Sequence, residues 1–280
     1  MNQRQDHTAG PIGVFDSGVG GLSVWRELVG LLPHESTLYL ADQANVPYGS
    51  RIRDEIEALT HRAAAWLMEQ DVKLVVVACN TASAAALNSL RQRWPDIPIV
   101  GMEPAVKPAS EQTITGRVGV MATPGTLQAG RFSTLVERFA GGVNVYTHIC
   151  PGLVEMVEAG QLNGQEVNDQ LHLMLDPLIN QNIDHLVLGC THYPFLAPAI
   201  QHVVGDGVTL VDPAPAVARQ VQRVLVSRQL LASPSLSPDH HFVTTAAADV
   251  FAANIKRLVG VSAPRVVTLS LAVEPRQALS

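Results

Sequence analysis

Two cysteines stand at matching points of the sequence and could act together on one substrate. Cys79 follows the apolar run 74–78, and Cys190 follows the apolar run 186–188. A polar turn and the start of a helix come next in both places, and a helix N-terminus stabilises a thiolate. His192 lies two residues after Cys190, where an imidazole can stabilise a thiolate or relay a proton. The pattern therefore favours two reactive thiols over two buried, inert cysteines.

Two thiols on opposite sides of one ligand suit the inversion of a stereocentre. One thiol removes a proton from one face of a carbon, and the other returns a proton to the opposite face. The α-proton of an amino acid is a very weak acid, so desolvation and donors on the carboxylate must stabilise the intermediate. Pyridoxal chemistry needs a lysine, yet Lys73 opens a strand at the end opposite the ligand side and Lys256 lies on an exposed helix face. We therefore expect a reaction without a cofactor.

A glycine-rich turn follows the first predicted strand. Residues 16–21 read Asp-Ser-Gly-Val-Gly-Gly. Glycines let a backbone turn its N–H groups into one concavity, and a helix N-terminus adds partial positive charge. The spacing matches neither a P-loop nor the dinucleotide-binding fingerprint. The segment is either an anion site for a small carboxylate or an ordinary tight turn between a strand and a helix.

Short β-branched runs alternate with longer helical patterns along the chain. Runs that are apolar at every position are typical of parallel strands covered on both faces, so the alternation predicts an α/β fold. Asp249 is expected to cap a closing helix that Gly260 ends. The predicted strands are residues 12–15, 37–40, 73–78, 98–100, 117–121, 143–146, 185–188 and 208–211, with an edge strand at 241–245, and the predicted helices include 52–70 and 84–94.

An internal repeat divides the chain into two similar halves. Residues 13–17 resemble residues 119–123, and residues 75–81 resemble residues 186–192, in the same order and at nearly the same offset. Both copies place a cysteine at the end of a strand, where open α/β sheets bind their ligands. We predict two flavodoxin-like, doubly wound parallel-sheet domains related by pseudo-twofold symmetry, with the site at their interface. The first comprises residues 1–99 plus 211–280, and the second comprises residues 100–210.

Composition excludes several classes of protein. Of the 280 residues 47% are hydrophobic and 16% are charged, which excludes a disordered chain. The net charge of −6 argues against a nucleic-acid or anionic-membrane binder. Three cysteines do not make a disulfide scaffold, and Cys150, which has no counterpart in the repeat, is interpreted as structural. The polar start and the lack of a run of about 18 apolar residues favour the cytoplasm and no membrane.

Four segments together resemble the cofactor-independent aspartate/glutamate racemase family, and within it the glutamate branch. They read Phe-Asp-Ser-Gly-Val-Gly-Gly at 15–21, Pro-Tyr-Gly at 47–49, Ala-Cys-Asn-Thr-Ala at 78–82 and Gly-Cys-Thr-His-Tyr-Pro at 189–194. The resemblance implies interconversion of L- and D-glutamate, without cofactor or metal, to supply D-glutamate for peptidoglycan and hence for cell-wall biogenesis and cell shape. Dimers are common in the family, so a homodimer is a further implication.

The resemblance also implies roles for individual residues. The acid–base residues are Cys79, assisted by Asp16 and acting on D-glutamate, and Cys190, assisted by His192 and acting on L-glutamate. Glu158 stands where the family has an assisting glutamate, and Glu155 is close enough to leave that choice open. The residues implied in substrate binding are Asp16, Ser17, Pro47, Tyr48, Gly49, Asn80, Thr81, Thr191 and His192.

Three alternatives to a glutamate racemase stay open from the residues. The same chemistry could act on aspartate or a hydantoin, and a non-catalytic protein could hold an acidic amino acid between the two domains. A zinc site of Cys79, Cys190 and His192 ranks lowest, because a metal would occupy the thiols that the inversion needs and no CxxC pair is present. Residues 211–215, Val-Asp-Pro-Ala-Pro, depart from the family pattern and affect only the local loop.

Overall fold

The computed structural model describes residues 10–128 and 130–271, and these residues form two parallel β-sheets covered by helices. Residues 1–7, the polar start of the chain, lie outside the described residues. The first sheet contains β1 (Ile12–Asp16), β2 (Thr37–Ala41), β3 (Leu74–Val77), β4 (Ile99–Gly101), β9 (His240–Thr244) and β10 (Arg265–Thr268). The second contains β5 (Arg117–Ala122), β6 (Asn144–Ile149), β7 (His185–Gly189) and β8 (Thr209–Val211).

The two sheets share a strand order. The second sheet runs β6-β5-β7-β8, and the first contains the equivalent run β2-β1-β3-β4, extended beyond β2 by β9 and β10. Every strand pairs in parallel with its neighbours. The predicted α/β fold with two doubly wound parallel sheets is confirmed. Because β3 and β7 occupy equivalent positions, Cys79 and Cys190 leave equivalent strands.

Helices cover the sheets because the strands are apolar on both faces. The residues of β1, β3 and β7 are all buried. The helices are α1 (Leu22–Leu31), α2 (Arg53–Met68), α3 (Asn80–Arg93), α4 (Val106–Gln112), α5 (Pro124–Gln128), α6 (Gly130–Phe139), α7 (Leu153–Glu158), α8 (Gln165–Ile179), α9 (Ala197–Val204), α10 (Ala214–Arg228) and α11 (Ala248–Val259). The helix α10 follows the last strand of the second sheet and packs against α1 of the first. Within the residues described, no helix is long and apolar enough to cross a membrane.

Several predicted elements differ from the observed ones. The helix α3 begins at Asn80 and not at residue 84, because the Cys79 sulfur caps it by accepting the N–H of Ala82. The strand β9 lies between β2 and β10, so its prediction as an edge strand was wrong. The strand β10 was missed because it is short and mostly exposed. Asp249 lies in the first turn of α11 and does not cap it, whereas Gly260 ends that helix with the expected left-handed φ of 76°.

Lys73 is close to Cys79 in the sequence but lies at the other end of β3. Lys73 precedes β3, and its buried ammonium pairs with the buried carboxylate of Glu35. The second oxygen of that carboxylate accepts the N–H of Ala232 at 2.8 Å. Lys73 therefore anchors the end of the sheet opposite to the cysteines.

Candidate active site

The carboxyl ends of β1, β3, β5 and β7 surround one small cavity. Residues of both halves line it: Ser17, Pro47, Tyr48, Gly49, Cys79, Asn80 and Thr81 from the first, and Thr123, Val154, Cys190, Thr191 and His192 from the second. Its volume of about 10 Å³ is close to the space that one water molecule needs. A larger cavity of about 660 Å³ between α3, β4 and α10 is lined by no cysteine or histidine. The small cavity is therefore the candidate site, because it brings the two thiols together.

The Cys79 thiol is buried at the N-terminus of α3. Its sulfur accepts the N–H of Ala82 at 3.4 Å and lies 3.6 Å from the Ser17 hydroxyl. Burial, and to a smaller extent the nearby charge of Asp16, raise the pKa of Cys79 to about 12, while the two hydrogen bonds lower it by less. At neutral pH Cys79 is consequently a protonated thiol, which can donate a proton.

The Cys190 half is arranged differently. The Cys190 sulfur lies 3.7 Å from His192 Nδ1, and His192 Nε2 lies 2.8 Å from a Glu158 oxygen. Burial lowers the pKa of His192, but the hydrogen bonds to Cys190 and Glu158 outweigh it and raise that pKa well above its ordinary value. A protonated imidazole beside the sulfur stabilises negative charge on Cys190. As a thiolate, Cys190 is therefore suited to accept a proton.

Glu158 belongs to the second half but is held by the first. The Val19 N–H donates to Oε1 at 2.7 Å, and the Gln43 side-chain amide donates to Oε2 at 2.9 Å. Burial raises the pKa of Glu158, but the hydrogen bonds from His192, Val19 and Gln43 outweigh it and lower that pKa below its ordinary value. Glu155, the other candidate, is exposed. Of the two glutamates, the structure places Glu158 against His192.

Asp16 lies behind the cavity wall. It is completely buried, and its carboxylate accepts the Gly18 N–H at 2.8 Å and the Thr191 hydroxyl at 3.1 Å. Burial raises the pKa of Asp16, partly offset by the charge of His192. Asp16 raises the pKa of Cys79 through its charge and holds Thr191 of the cavity wall by a hydrogen bond.

The glycine-rich turn binds the protein's own carboxylates. The N–H of Gly18 donates to Asp16 and the N–H of Val19 donates to Glu158, so these two N–H groups of the predicted anion concavity already have partners. A side chain at Gly18 would collide with the Glu158 carboxylate, and one at Gly20 would collide with His192. The glycines are needed here because the two halves approach closely, a reason that the sequence pattern did not reveal.

Polar side chains complete the cavity wall. The Tyr48 hydroxyl donates to the buried Asp42 carboxylate at 2.7 Å, which fixes the ring at the cavity edge. Thr81 and Thr123 share a hydrogen bond of 2.8 Å. Asn80 donates to the Met102 sulfur at 3.5 Å, while its buried carbonyl oxygen has no hydrogen-bond partner within the described part of the chain. A buried carbonyl of this kind suits an ammonium group of a ligand.

Thr123, Val154 and Gln43 contribute to the site and were missed in the sequence. Thr123 lines the cavity at the position equivalent to Ser17 in the internal repeat, so the repeat carried the signal that would have found it. Gln43 carried no signal, since its contact with Glu158 joins residues that are 115 positions apart. Among the described residues, no group of three or more histidine, cysteine or acidic side chains is arranged to hold a metal ion.

Comparison with known proteins agrees with this geometry. Residues 12–221 match the model of the Asp/Glu/hydantoin racemase family. The chain belongs to the Asp/Glu/hydantoin racemase family. It is therefore an isomerase, of the amino-acid racemase class. A glutamate racemase of Pseudomonas paraeruginosa is 52% identical over 223 residues, which cover 80% of this chain and 84% of that protein.

Solved structures of the same family share the whole architecture. The glutamate racemase of Francisella tularensis in complex with D-glutamate superposes with a TM-score of 0.85 at 30% identity, covering 94% of this chain and 98% of that one. The Escherichia coli glutamate racemase in complex with L-glutamate and the activator UDP-MurNAc-ala superposes with a TM-score of 0.80 at 33% identity, covering 92% and 98%. The racemase fold of this chain thus extends beyond the residues that the family model matches.

Proposed function

We propose that this protein interconverts L- and D-glutamate by proton transfer between the substrate and two thiols, and so supplies D-glutamate for peptidoglycan. The main support is that Cys79 and Cys190 leave equivalent strands of two sheets and line one cavity. Of the glutamate racemases above that share the fold, the Francisella tularensis enzyme is in complex with D-glutamate and the Escherichia coli enzyme is in complex with L-glutamate. This reading is favoured over aspartate or hydantoin as substrate, because the relatives at about half identity are glutamate racemases.

The two halves divide the proton transfer. Cys190, as the thiolate beside protonated His192, removes the α-proton of L-glutamate, and its S–H bond forms as the C–H bond breaks. Cys79, as the thiol, delivers its proton to the opposite face of the α-carbon and is left as a thiolate. The product is D-glutamate, and the reverse reaction uses the same two thiols in exchanged roles. Glu158 holds His192, and Asp16 sets the charge near Cys79.

Polar groups of the wall hold the substrate. The carbonyl of Asn80 accepts from the substrate ammonium, because it is buried and has no partner among the described residues. Tyr48 and Thr191 shape this wall, with their hydroxyls donated to Asp42 and Asp16. The hydroxyls of Ser17 and Thr81, with the Pro47–Gly49 segment, hold the two carboxylates. These donors stabilise the negative charge that develops next to the α-carboxylate. A cavity of about 10 Å³ does not contain glutamate, so the cavity must widen to admit it.

Hydrogen exchange with solvent tests the proposal. The protein is incubated with L-glutamate in D₂O without pyridoxal phosphate. A racemase places deuterium on the α-carbon while optical rotation is lost. A ligand that binds tightly but does not exchange would refute the racemase and identify a binding protein, and faster exchange on L-aspartate would reassign the substrate. Cys79→Ser and Cys190→Ser are each expected to abolish turnover while substrate still binds.

The proposal extends to the organisation of the molecule. We place residues 1–99 plus 211–280 in one domain and residues 100–210 in the other. The strands of the two sheets come from these parts of the chain except at the boundaries, where β4 extends to Gly101 and β8 extends to Val211. The ends of the first domain lie outside the described residues. We further propose a cytoplasmic homodimer, which sedimentation equilibrium of the purified protein tests.

A further inference from the structure

A glutamine from the first half reaches the assisting glutamate of the second. Gln43 lies directly after β2, in the short 3-10 turn Gln43–Asn45, and is half-buried. Its Nε2 donates to Glu158 Oε2 at 2.9 Å, and its Oε1 accepts the Thr244 hydroxyl at 2.8 Å. Thr244 is completely buried at the end of β9. A continuous row of hydrogen bonds therefore leads from β9 to the second thiol.

The direction of each hydrogen bond in this row is determined. The Ala246 N–H donates to the Thr244 oxygen at 3.1 Å, so the Thr244 hydroxyl proton is available for Gln43 Oε1. Because its Oε1 is occupied in this way, Gln43 presents its NH₂ group to Glu158. The reversed amide would place a carbonyl oxygen against a carboxylate, which is repulsive. The Glu158 carboxylate thus selects the orientation in which Gln43 donates to it, and the Thr244 hydroxyl stabilises that orientation.

Glu158 depends on this donor for one of its two oxygens. Oε1 is held by the Val19 N–H and by His192, whereas Gln43 supplies the hydrogen bond to Oε2. With both oxygens held, the plane of the carboxylate is fixed against the imidazole. Hydrogen bonds to a charged acceptor are among the stronger ones in proteins. The loss of one would free the carboxylate to rotate away from His192.

We propose that Gln43 is a positioning residue that holds the Glu158 carboxylate in line with His192 and so maintains the proton-accepting state of the Cys190 half. The inference rests on the proposed two-thiol racemisation. Gln43 touches neither thiol, and its effect passes through Glu158. Among the described residues, the ionisable groups that face the His192–Glu158 pair are Asp16, Cys190 and Tyr39.

Gln43→Leu tests the proposal with a pH profile. We expect kcat to fall about tenfold, less than the full loss of a hydrogen bond to a charged group would give because Gln43 acts on the thiol only through Glu158, with KM changed less than twofold. The carboxylate loses a stabilising donor and pairs less well with the imidazole, so the pKa of Glu158 rises and the pKa of His192 falls. The pH–rate profile should therefore become narrower on both sides. A merely structural defect would lower the amount of active enzyme without moving either limb.

The matched control is Gln165→Leu. Gln165 is exposed at the start of α8, where its amide also donates to a carboxylate, that of Asp169, at 2.7 Å. This variant should keep the wild-type profile. Thr244→Val should shift both limbs of the pH–rate profile in the same direction as Gln43→Leu but by a smaller amount. Thr244→Ser, which keeps the hydroxyl, should keep the wild-type profile. These two variants decide the matter if Gln43→Leu does not fold.

A measurement without turnover separates this inference from the proposed function. Titration of His192 by NMR, with its resonance assigned through His192→Gln, should show a lower pKa in Gln43→Leu than in the wild type and in Gln165→Leu. An unchanged His192 titration in both Gln43→Leu and Thr244→Val would overturn the role of Gln43, whatever the activity. An inactive wild type would overturn the racemase proposal, and the titration would still decide the positioning role.

Discussion

Replacement of Glu158 by glutamine tests the electrostatics of the Cys190 half. The substitution keeps the size of the side chain and removes its charge, which lies 2.8 Å from His192 Nε2. The NH₂ group of the new glutamine would also face a hydrogen-bond donor and be repelled by it, since Val19 N–H and Gln43 Nε2 both point at this carboxylate. The imidazole consequently loses the carboxylate that helps to keep it protonated, and Cys190 loses part of the stabilisation of its thiolate.

The expected size follows from the interaction removed. A hydrogen bond to a charged group contributes about 2 kcal/mol, which corresponds to about thirtyfold in rate. Because L- and D-glutamate have equal free energies, the equilibrium constant of the reaction is one. kcat/KM must therefore fall by the same factor in both directions, although the thiol with the altered environment serves as the base in only one of them.

The pH dependence gives a second readout, and its sign is fixed by the pKa. The pKa of His192 is raised in the folded protein, so the protonated form is present at neutral pH and is lost as the pH rises through that pKa. Loss of the carboxylate lowers the pKa of His192, so the alkaline limb of kcat/KM should move to lower pH.

Circular dichroism of glutamate solutions, started from each enantiomer between pH 6 and pH 10, measures both quantities. Glu155→Gln is the control, since Glu155 is exposed on the same helix and should leave the activity and the profile unchanged. A Glu158→Gln enzyme whose kcat/KM falls less than threefold with an unmoved alkaline limb would refute the role that we give to the Glu158–His192 pair.

Two further substitutions probe the packing around the site. Gly18→Ala places a methyl group where the Glu158 carboxylate lies, so kcat/KM should fall at least as far as in Glu158→Gln. Gly30→Ala, with open space around it in α1, should leave kcat/KM unchanged. Equal kinetics of the two variants would contradict the close approach of the two halves at Gly18. Lys73→Met leaves the buried Glu35 carboxylate without its ammonium partner and should lower the free energy of unfolding in urea by about 3–5 kcal/mol; a loss below 1 kcal/mol would show that the pair is not important for stability.

The sequence predicted those parts of the site that rest on local pattern. An apolar strand followed by a cysteine and a helix is visible in one short segment, and it placed Cys79 and Cys190 at the ends of β3 and β7. The repeat predicted that both would belong to equivalent strands. The relative orientation of the sheets was not needed, because parallel strands in such a fold present their carboxyl ends to the ligand.

The parts that the sequence did not predict depend on contacts across the two halves. The glycine turn was interpreted from its local composition as an anion site or a simple turn, whereas Gly18 and Gly20 are required by Glu158 and His192 of the other half. The place of β9 inside the sheet depends on β10, whose short, exposed sequence has no clear strand pattern. Such contacts join residues far apart in the chain, so no local rule reveals them.

The repeat in the fold does not extend to the electrostatics of the two thiols. The Cys79 sulfur accepts a backbone N–H, lies beside a hydroxyl and has a pKa of about 12, whereas Cys190 faces a protonated imidazole. An equilibrium constant of one constrains only kcat/KM and places no demand of symmetry on the free enzyme. In the proposed cycle the free enzyme therefore rests with the proton on Cys79, ready for L-glutamate. When D-glutamate leaves, Cys190 carries the proton and Cys79 is a thiolate. Cys190 must then lose its proton and Cys79 must gain one before the next L-glutamate can react, unless D-glutamate binds first and reverses the step.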